Sequence, residues 1–313
     1  MSLPGGRAAV RQPSDPGLRG GSRFIGEDGK QRSRIRFFFA HGKNITPPIG
    51  GRQARKSKCV ESGACWGESN NLGSRKHMPQ WKGLAITWLG HAAVHITTPA
   101  GTEILIDPFL EHNPKYPKGY KLPEKLDLLL LTHAHGDHLG DAVSVAKKHR
   151  PEVVAIFELA SWIGSKGVED IVGMNLGGSY KYKDVTVSMV EAHHSSSIQD
   201  GKEQLYGGDP AGFIVAAEDA PVLYHAGDTS LFSDMRLIKE LYAPEVGLIP
   251  IGDYYTMGPK AAAVAASFLG VKTIIPIHYG TFPQLTGTPA ALKEHLKGTS
   301  VNVIAPQPGE TLR

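Results

Sequence analysis

The chain has 313 residues, with 34 Lys and Arg against 30 Asp and Glu, a formal net charge of +4, and two cysteines. That length allows a sizeable hydrophobic core, the cysteine count excludes a disulfide-stapled scaffold, and no apolar run is long enough to cross a membrane. The charge is unevenly placed: residues 1–77 hold fifteen Lys and Arg against five Asp and Glu, a net of +10, whereas 78–313 hold nineteen against twenty-five, a net of −6.

Residues 1–77 are rich in Gly, Pro, Ser and Arg and show neither strand nor helix periodicity, so they read as a disordered basic extension. Pro4, Gly5 and Gly6 oppose the amphipathic helix of a mitochondrial transit peptide, and no secretory apolar region is present. The run from Met78, MPQWKGLAITWLGHAAV, reads like a natural start. The first 77 residues are therefore either a non-native upstream extension or a regulatory or targeting tail. Cys59 and Cys65 both lie there without neighbouring His or Cys partners. With no cysteine in 78–313, a reducing cytoplasm is the default compartment.

From residue 84 the texture changes to short apolar runs separated by turn residues. Runs at 84–89, 94–98 and 103–107 predict an opening meander, with Pro99, Ala100 and Gly101 supplying a hairpin turn. Residues 111–123 read as an irregular, proline-rich loop, a lid or substrate wall if not solvated padding. Residues 128–131, four leucines, predict a strand buried on both faces. After it come a helix over 141–148, a strand over 153–156, a helix over 158–166 and a half-exposed strand over 185–190. The second half predicts strands at 213–217, 222–225, 248–251 and 273–277, with helices at 231–242, 260–269 and 289–297. Two successive blocks of alternating strands and helices imply an α/β (α+β) domain over 78–313, with two sheets inside and helices outside.

The buried strand runs directly into THAHGDHLGD, three histidines and an aspartate within six positions. His133 and His135 alternate at strand-end spacing, and Gly136 permits a bend that brings Asp137 and His138 round. Imidazole and carboxylate together suit zinc, iron, nickel or manganese, and the lack of cysteine excludes a thiolate structural site. The pattern predicts an open, catalytic metal site.

H-x-H-x-D-H after a hydrophobic strand resembles the signature of the metallo-β-lactamase superfamily, whose fold is a four-layer αββα sandwich. The motifs ILIDPFL, THAHGDHLGD, YGGDPAGF, YHAGDTSLF, DMRLIKE, PIGDYYTMGP and PIHYGTFPQL together resemble a metal-dependent hydrolase family close to ascorbate-6-phosphate lactonase. More distantly they resemble the N-acyl phosphatidylethanolamine phospholipase D group. The likeness covers 78–313 and none of 1–77. It implies two divalent metal ions, zinc first, with manganese, nickel or iron as alternatives. His133, His135 and His194 would hold one, Asp137, His138 and His278 the other, and Asp228 would bridge. Adjacent strand residues face opposite ways, so one of His193 and His194 reaches the metal; the resemblance, through the family's pattern A-x-H-S-S, implies His194.

The resemblance further implies attack by a metal-bridging hydroxide on an ester, lactone or phosphoester of a small-molecule substrate, with Asp137 and Asp228 as catalytic carboxylates. His91 in LGHAA and Asp107 in ILIDPFL are expected to support a ligand or touch substrate, Tyr279 and Thr281 to position a leaving group, and His225 to be structural. A nuclease of the same superfamily and an iron-dependent redox enzyme are the competing readings. The net −6 of 78–313 argues against a nucleic-acid partner. The apolar strands and the alanine-rich 260–269 segment offer a homo-oligomer interface.

Overall fold

A computed structural model of the protein describes residues 81–313. The expected disorder of residues 1–77, and Cys59 and Cys65, lie outside the described residues. In chain order the elements are β1 (Ala85–Trp88), β2 (Val94–Thr97), β3 (Glu103–Ile106), β4 (Leu128–Leu130), α1 (Gly136–Leu139), α2 (Ala142–His149), β5 (Glu152–Ile156), α3 (Phe157–Ser165) and β6 (Ile171–Met174). They continue with β7 (Ser179–Tyr182), β8 (Val185–Glu191), β9 (Ser197–Asp200), β10 (Glu203–Tyr206), β11 (Ala211–Ala217), β12 (Leu223–His225), α4 (Met235–Tyr242), β13 (Val246–Pro250), α5 (Pro259–Leu269), β14 (Thr273–Ile277), α6 (Pro289–His295), β15 (Asn302–Val303) and β16 (Thr311–Leu312).

Two seven-stranded sheets result, in the orders β16-β1-β2-β3-β4-β5-β6 and β15-β14-β13-β12-β11-β8-β7. Strand alternation builds the layers. Phe213, Val215, Leu223, Leu248, Ile275 and Ile277 join the core shared with the first sheet, while Ile214, Tyr224, Ile249 and Ile274 turn to the other face and pack with α4, α5 and α6. Helices α2 and α3 bury Ala142, Val145, Ala146, Leu159, Ala160 and Ile163 in the first cluster. The αββα expectation holds.

Several elements differ from expectation. Strands β6, β7, β15 and β16 and the separate β9-β10 hairpin are additional; the polar, half-exposed Ser179–Tyr182 and the exposed β10 carry little apolar pattern. Helix α4 begins at Met235 rather than 231. Asp141 precedes α2 but makes no cap with its side chain; its Oδ2 instead accepts from the backbone N–H groups of Leu110 and Glu111, both at 2.9 Å. The 111–123 loop and α2 enclose a cleft of about 890 Å³ that contains none of the predicted site residues. Tyr120 pins this loop through its hydroxyl, 2.7 Å from His95 Nδ1.

β3, β4, β5 and β6 are parallel, and so are β12, β13, β14 and β15. The carboxyl ends of both parallel sets therefore gather at one edge of the sandwich, where open α/β sheets place their sites. At the opposite edge two carboxylates tie the sheets together. Asp127 at the start of β4 accepts from Glu103 N (3.0 Å), Lys183 Nζ (2.7 Å) and Tyr182 Oη (3.2 Å). Asp184, in the β7-β8 turn, accepts from the hydroxyls of Thr98 and Thr102 in the β2-β3 hairpin.

Burial alone would raise both carboxyls, but the Lys183 contact for Asp127 and the threonine hydroxyls for Asp184 hold them below the ordinary value. A group depressed in the folded state adds stability above its unfolded pKa, roughly 3.9, and loses it as pH falls further. Asp127→Ala is expected to lower the unfolding free energy by about 1–3 kcal/mol at pH 7. In urea titrations the deficit against wild type should shrink below about pH 4; a deficit independent of pH would contradict the latch.

Candidate metal centre

The first sheet delivers its residues through two neighbouring strand ends. Asp107, just past β3, adopts a left-handed φ of 47° and accepts from Thr132 N (2.8 Å) and Thr132 Oγ1 (2.7 Å), just past β4. The same carboxylate lies 2.7 Å from His138 Nδ1, which aims His138 Nε2 toward Asp228 Oδ1 at 3.3 Å. His133 follows Thr132, with Nδ1 3.1 Å from the Thr132 hydroxyl and Nε2 3.0 Å from His135 Nδ1. Gly136 opens the short helix α1 and does not take a positive φ, so the expected bend is a helix entry.

The second sheet completes the cluster. His194 follows β8; its Nε2 lies 3.5 Å from Asp228 Oδ2. Asp228 follows β12 through Gly227, whose φ is 58° and where a Cβ would sit 2.8 Å from both Ala211 O and Thr132 Cβ. Only glycine brings this turn so close to the β4 end. His278 follows β14 with φ 55°, and its Nε2 is 3.1 Å from Asp228 Oδ2 and 3.7 Å from Asp137 Oδ2.

His91 enters from the turn after β1, with φ 56° and Nε2 3.0 Å from Asp137 Oδ2. Its carbonyl accepts from Trp88 Nε1 and from His278 N, both at 2.9 Å. Three members of the cluster and its supports thus hold left-handed backbones without being glycine, a strain that concentrates at functional sites.

All seven expected ligands fall into three overlapping groups: His133, His135 and His194; His133, His138 and Asp228; and His91, Asp137, His138 and His278. Within each group the donor atoms lie within 4.8 Å of one another. His91 is more central than the sequence suggested. His193 is turned away, exposed, stacked on Phe232 and 3.1 Å from Glu191 Oε1. His225 satisfies both ring nitrogens on backbone, with Ala92 O and Gly227 N, in keeping with a structural role. Tyr279 lies flat against Trp88, ring centroids 5.2 Å apart, and Thr281 bonds to the Tyr279 carbonyl; neither hydrogen-bonds a cluster residue. Thr132, which links Asp107 to His133, was not singled out in sequence; its position directly before the motif was the available signal.

The model of the β-lactamase superfamily domain matches residues 102–279. A UPF0173 metal-dependent hydrolase of Koribacter versatilis is 49% identical over 230 residues, covering 74% of this chain and 98% of that one. The chain belongs to this family. A second UPF0173 metal-dependent hydrolase, from Rubrobacter xylanophilus, is 47% identical, covering 74% of this chain and 96% of its own. The solved structure of Igni18, a metallo hydrolase from Ignicoccus hospitalis, superposes with a TM-score of 0.65 at 33% identity, covering 73% of this chain and 97% of that one.

As a metal-dependent hydrolase the chain needs donors ready for a cation, and the cluster supplies them. Burial lowers the pKa of His133, His135, His194 and His91, the last to about 4, so these rings are neutral at physiological pH. Burial also opposes charge on Asp228 and Asp137, but His138 and His278 for the first, and His278 and His91 for the second, hold both well below the carboxylate range. Burial would likewise lower His138 and His278; Asp228 and its partner carboxylates raise them instead, His278 to about 9. His138 Nε2, His278 Nε2 and Asp228 Oδ1 are buried and meet only as ion-pair contacts, none with the geometry of a hydrogen bond, a costly arrangement that a cation would relieve.

Asp107→Asn should preserve the fold but weaken divalent-metal affinity by roughly tenfold to a hundredfold, because it disturbs the acceptor that orients His138. His193→Ala should leave affinity unchanged. Competition titration with a chromophoric chelator checks both; equal losses in the two variants would contradict the geometry.

Proposed function

We propose that this chain is a binuclear hydrolase of a small ester, lactone or phosphoester. The observation that carries the reading is the convergence of buried atoms, His138 Nε2, His278 Nε2 and Asp228 Oδ1 among them, that meet without a well-formed hydrogen bond inside a set of imidazoles and carboxylates. His133, His135 and His194 would hold one ion, Asp137, His138 and His278 the other, and Asp228 would lie between them. Divalent ions there, zinc first among zinc, manganese, nickel and iron, would acidify water and polarise the bond under attack.

The chain's own residues supply the rest. Asp107 keeps His138 in one orientation, and His91 holds the Asp137 carboxylate by a 3.0 Å contact. Asp228 and Asp137, held ionised, would offset the repulsion between cations. Beside His194 lies a cleft of about 500 Å³ lined by Leu176, Glu191, Ala192, His193, Asp209 and Pro210. Its volume suits a small molecule, and a lining with two carboxylates and no Lys or Arg disfavours a polyanion such as nucleic acid. That supports a small-molecule substrate.

Elemental mass spectrometry on the full chain is expected to find about two equivalents of divalent metal. His135→Ala should lose metal and at least a hundredfold of any turnover in an ester, lactone and phosphodiester screen. Folded wild-type protein that takes up no divalent ion under any loading condition would overturn the reading.

A further inference from the structure

We infer that the loop between β13 and α5, carrying Tyr254 and Tyr255, is the substrate-recognition lip of this centre and takes an aromatic ring on the non-reacting part of the substrate. The inference rests on the hydrolase reading above. Topology places the loop first. β13 lies between β12 and β14, parallel to both, so its carboxyl end opens between the turn that bears Asp228 and the turn that bears His278.

Close contacts then fasten it there. Met257 N donates to Thr229 O at 3.2 Å, the residue after Asp228. At the other end Gly252 presses on the residue that supplies the last imidazole: a Cβ built on it would lie 2.1 Å from His278 O. Gly252 O also accepts from Gly287 N at 3.1 Å. No side chain fits at 252 without moving His278.

Between these anchors the backbone is forced into an unusual path. Asp253 and Tyr254 take consecutive left-handed φ angles of 65° and 55°. Aspartate tolerates that region; a bulky tyrosine does so only when its surroundings impose it. Two bonds impose it here: Asp253 N donates to Met257 O at 3.1 Å, and Asp253 Oδ1 accepts from Tyr254 N at 2.9 Å.

The strained turn presents its rings to solvent. Tyr254 is 73% and Tyr255 51% exposed, and the rings meet edge to face at 4.7 Å. Large rings on a backbone already fixed lose little freedom when they meet a ligand, and a ring face offers stacking in addition to buried area. An aromatic pair on a loop fastened between the Asp228 and His278 turns thus fits the aromatic part of a substrate whose reactive bond reaches the cluster.

The test uses the full chain, metal-loaded, with benzyl acetate and ethyl acetate as substrates of similar leaving group. Wild type is compared with a double variant, Tyr254→Ala with Tyr255→Ala, and with Tyr254→Phe with Tyr255→Phe. The alanine pair should cut the benzyl-over-ethyl preference in kcat/KM by roughly tenfold, through KM, and the phenylalanine pair should restore it. Saturation transfer from protein to the benzyl ring is the second readout: present in wild type and in His135→Ala, lost in the alanine pair. Unchanged preference and unchanged transfer in the alanine pair would overturn the lip, as would a drop in solution molar mass with ring binding intact, which would assign the tyrosines to contact between copies. Ring binding by folded wild type that takes up no divalent ion under any loading condition would defeat the hydrolase reading and leave the lip standing.

Discussion

The structure depends on one buried carboxylate. Asp228 is 3% exposed, and an ionised group so placed is unfavourable unless its charge is answered. Here the answer comes from beyond both sheets at once: His138 from α1, which follows β4, His194 from the end of β8 and His278 from the end of β14. Removing Asp228 would leave imidazoles facing each other; removing the imidazoles would leave a buried anion. This mutual dependence explains why the two parallel strand sets converge on a single edge, and why Gly227 is confined between Ala211 and Thr132.

Behind that charge balance stands a layer that fixes geometry. Asp107 and Thr132 stitch adjacent strand ends, and His91 grips Asp137 with its ring while its carbonyl receives His278 N. The left-handed backbones of Asp107, His91 and His278 are the conformational cost of this arrangement. Donors held in place before a cation arrives need little rearrangement to bind it. At the opposite edge Asp127 and Asp184 tie the two sheets together.

Legibility in the sequence followed distance along the chain. The H-x-H-x-D-H motif was plain because its residues are neighbours after a strand of leucines. His194, Asp228 and His278 were found through order and resemblance, since nothing local separates Asp228 from an ordinary turn aspartate. His91 carries little local signal because its partner Asp137 is 46 residues away. Strand β16 pairs with β1 across more than two hundred residues, and β7 and β10 present too few apolar positions to register as strands. Leu231 fits the helical stripe and predicts an earlier start for α4, but the backbone turns before Met235. Tyr254 and Tyr255 stand inside the motif PIGDYYTMGP, but their place beside the site follows only from where β13 ends.

The central claim is that two cations share this cluster on either side of Asp228, and anomalous diffraction from crystals of the metal-loaded full chain tests it most directly. The account predicts two anomalous peaks, one among His133, His135 and His194 and one among Asp137, His138 and His278, with Asp228 between them. A single peak, or peaks away from these side chains, would contradict it.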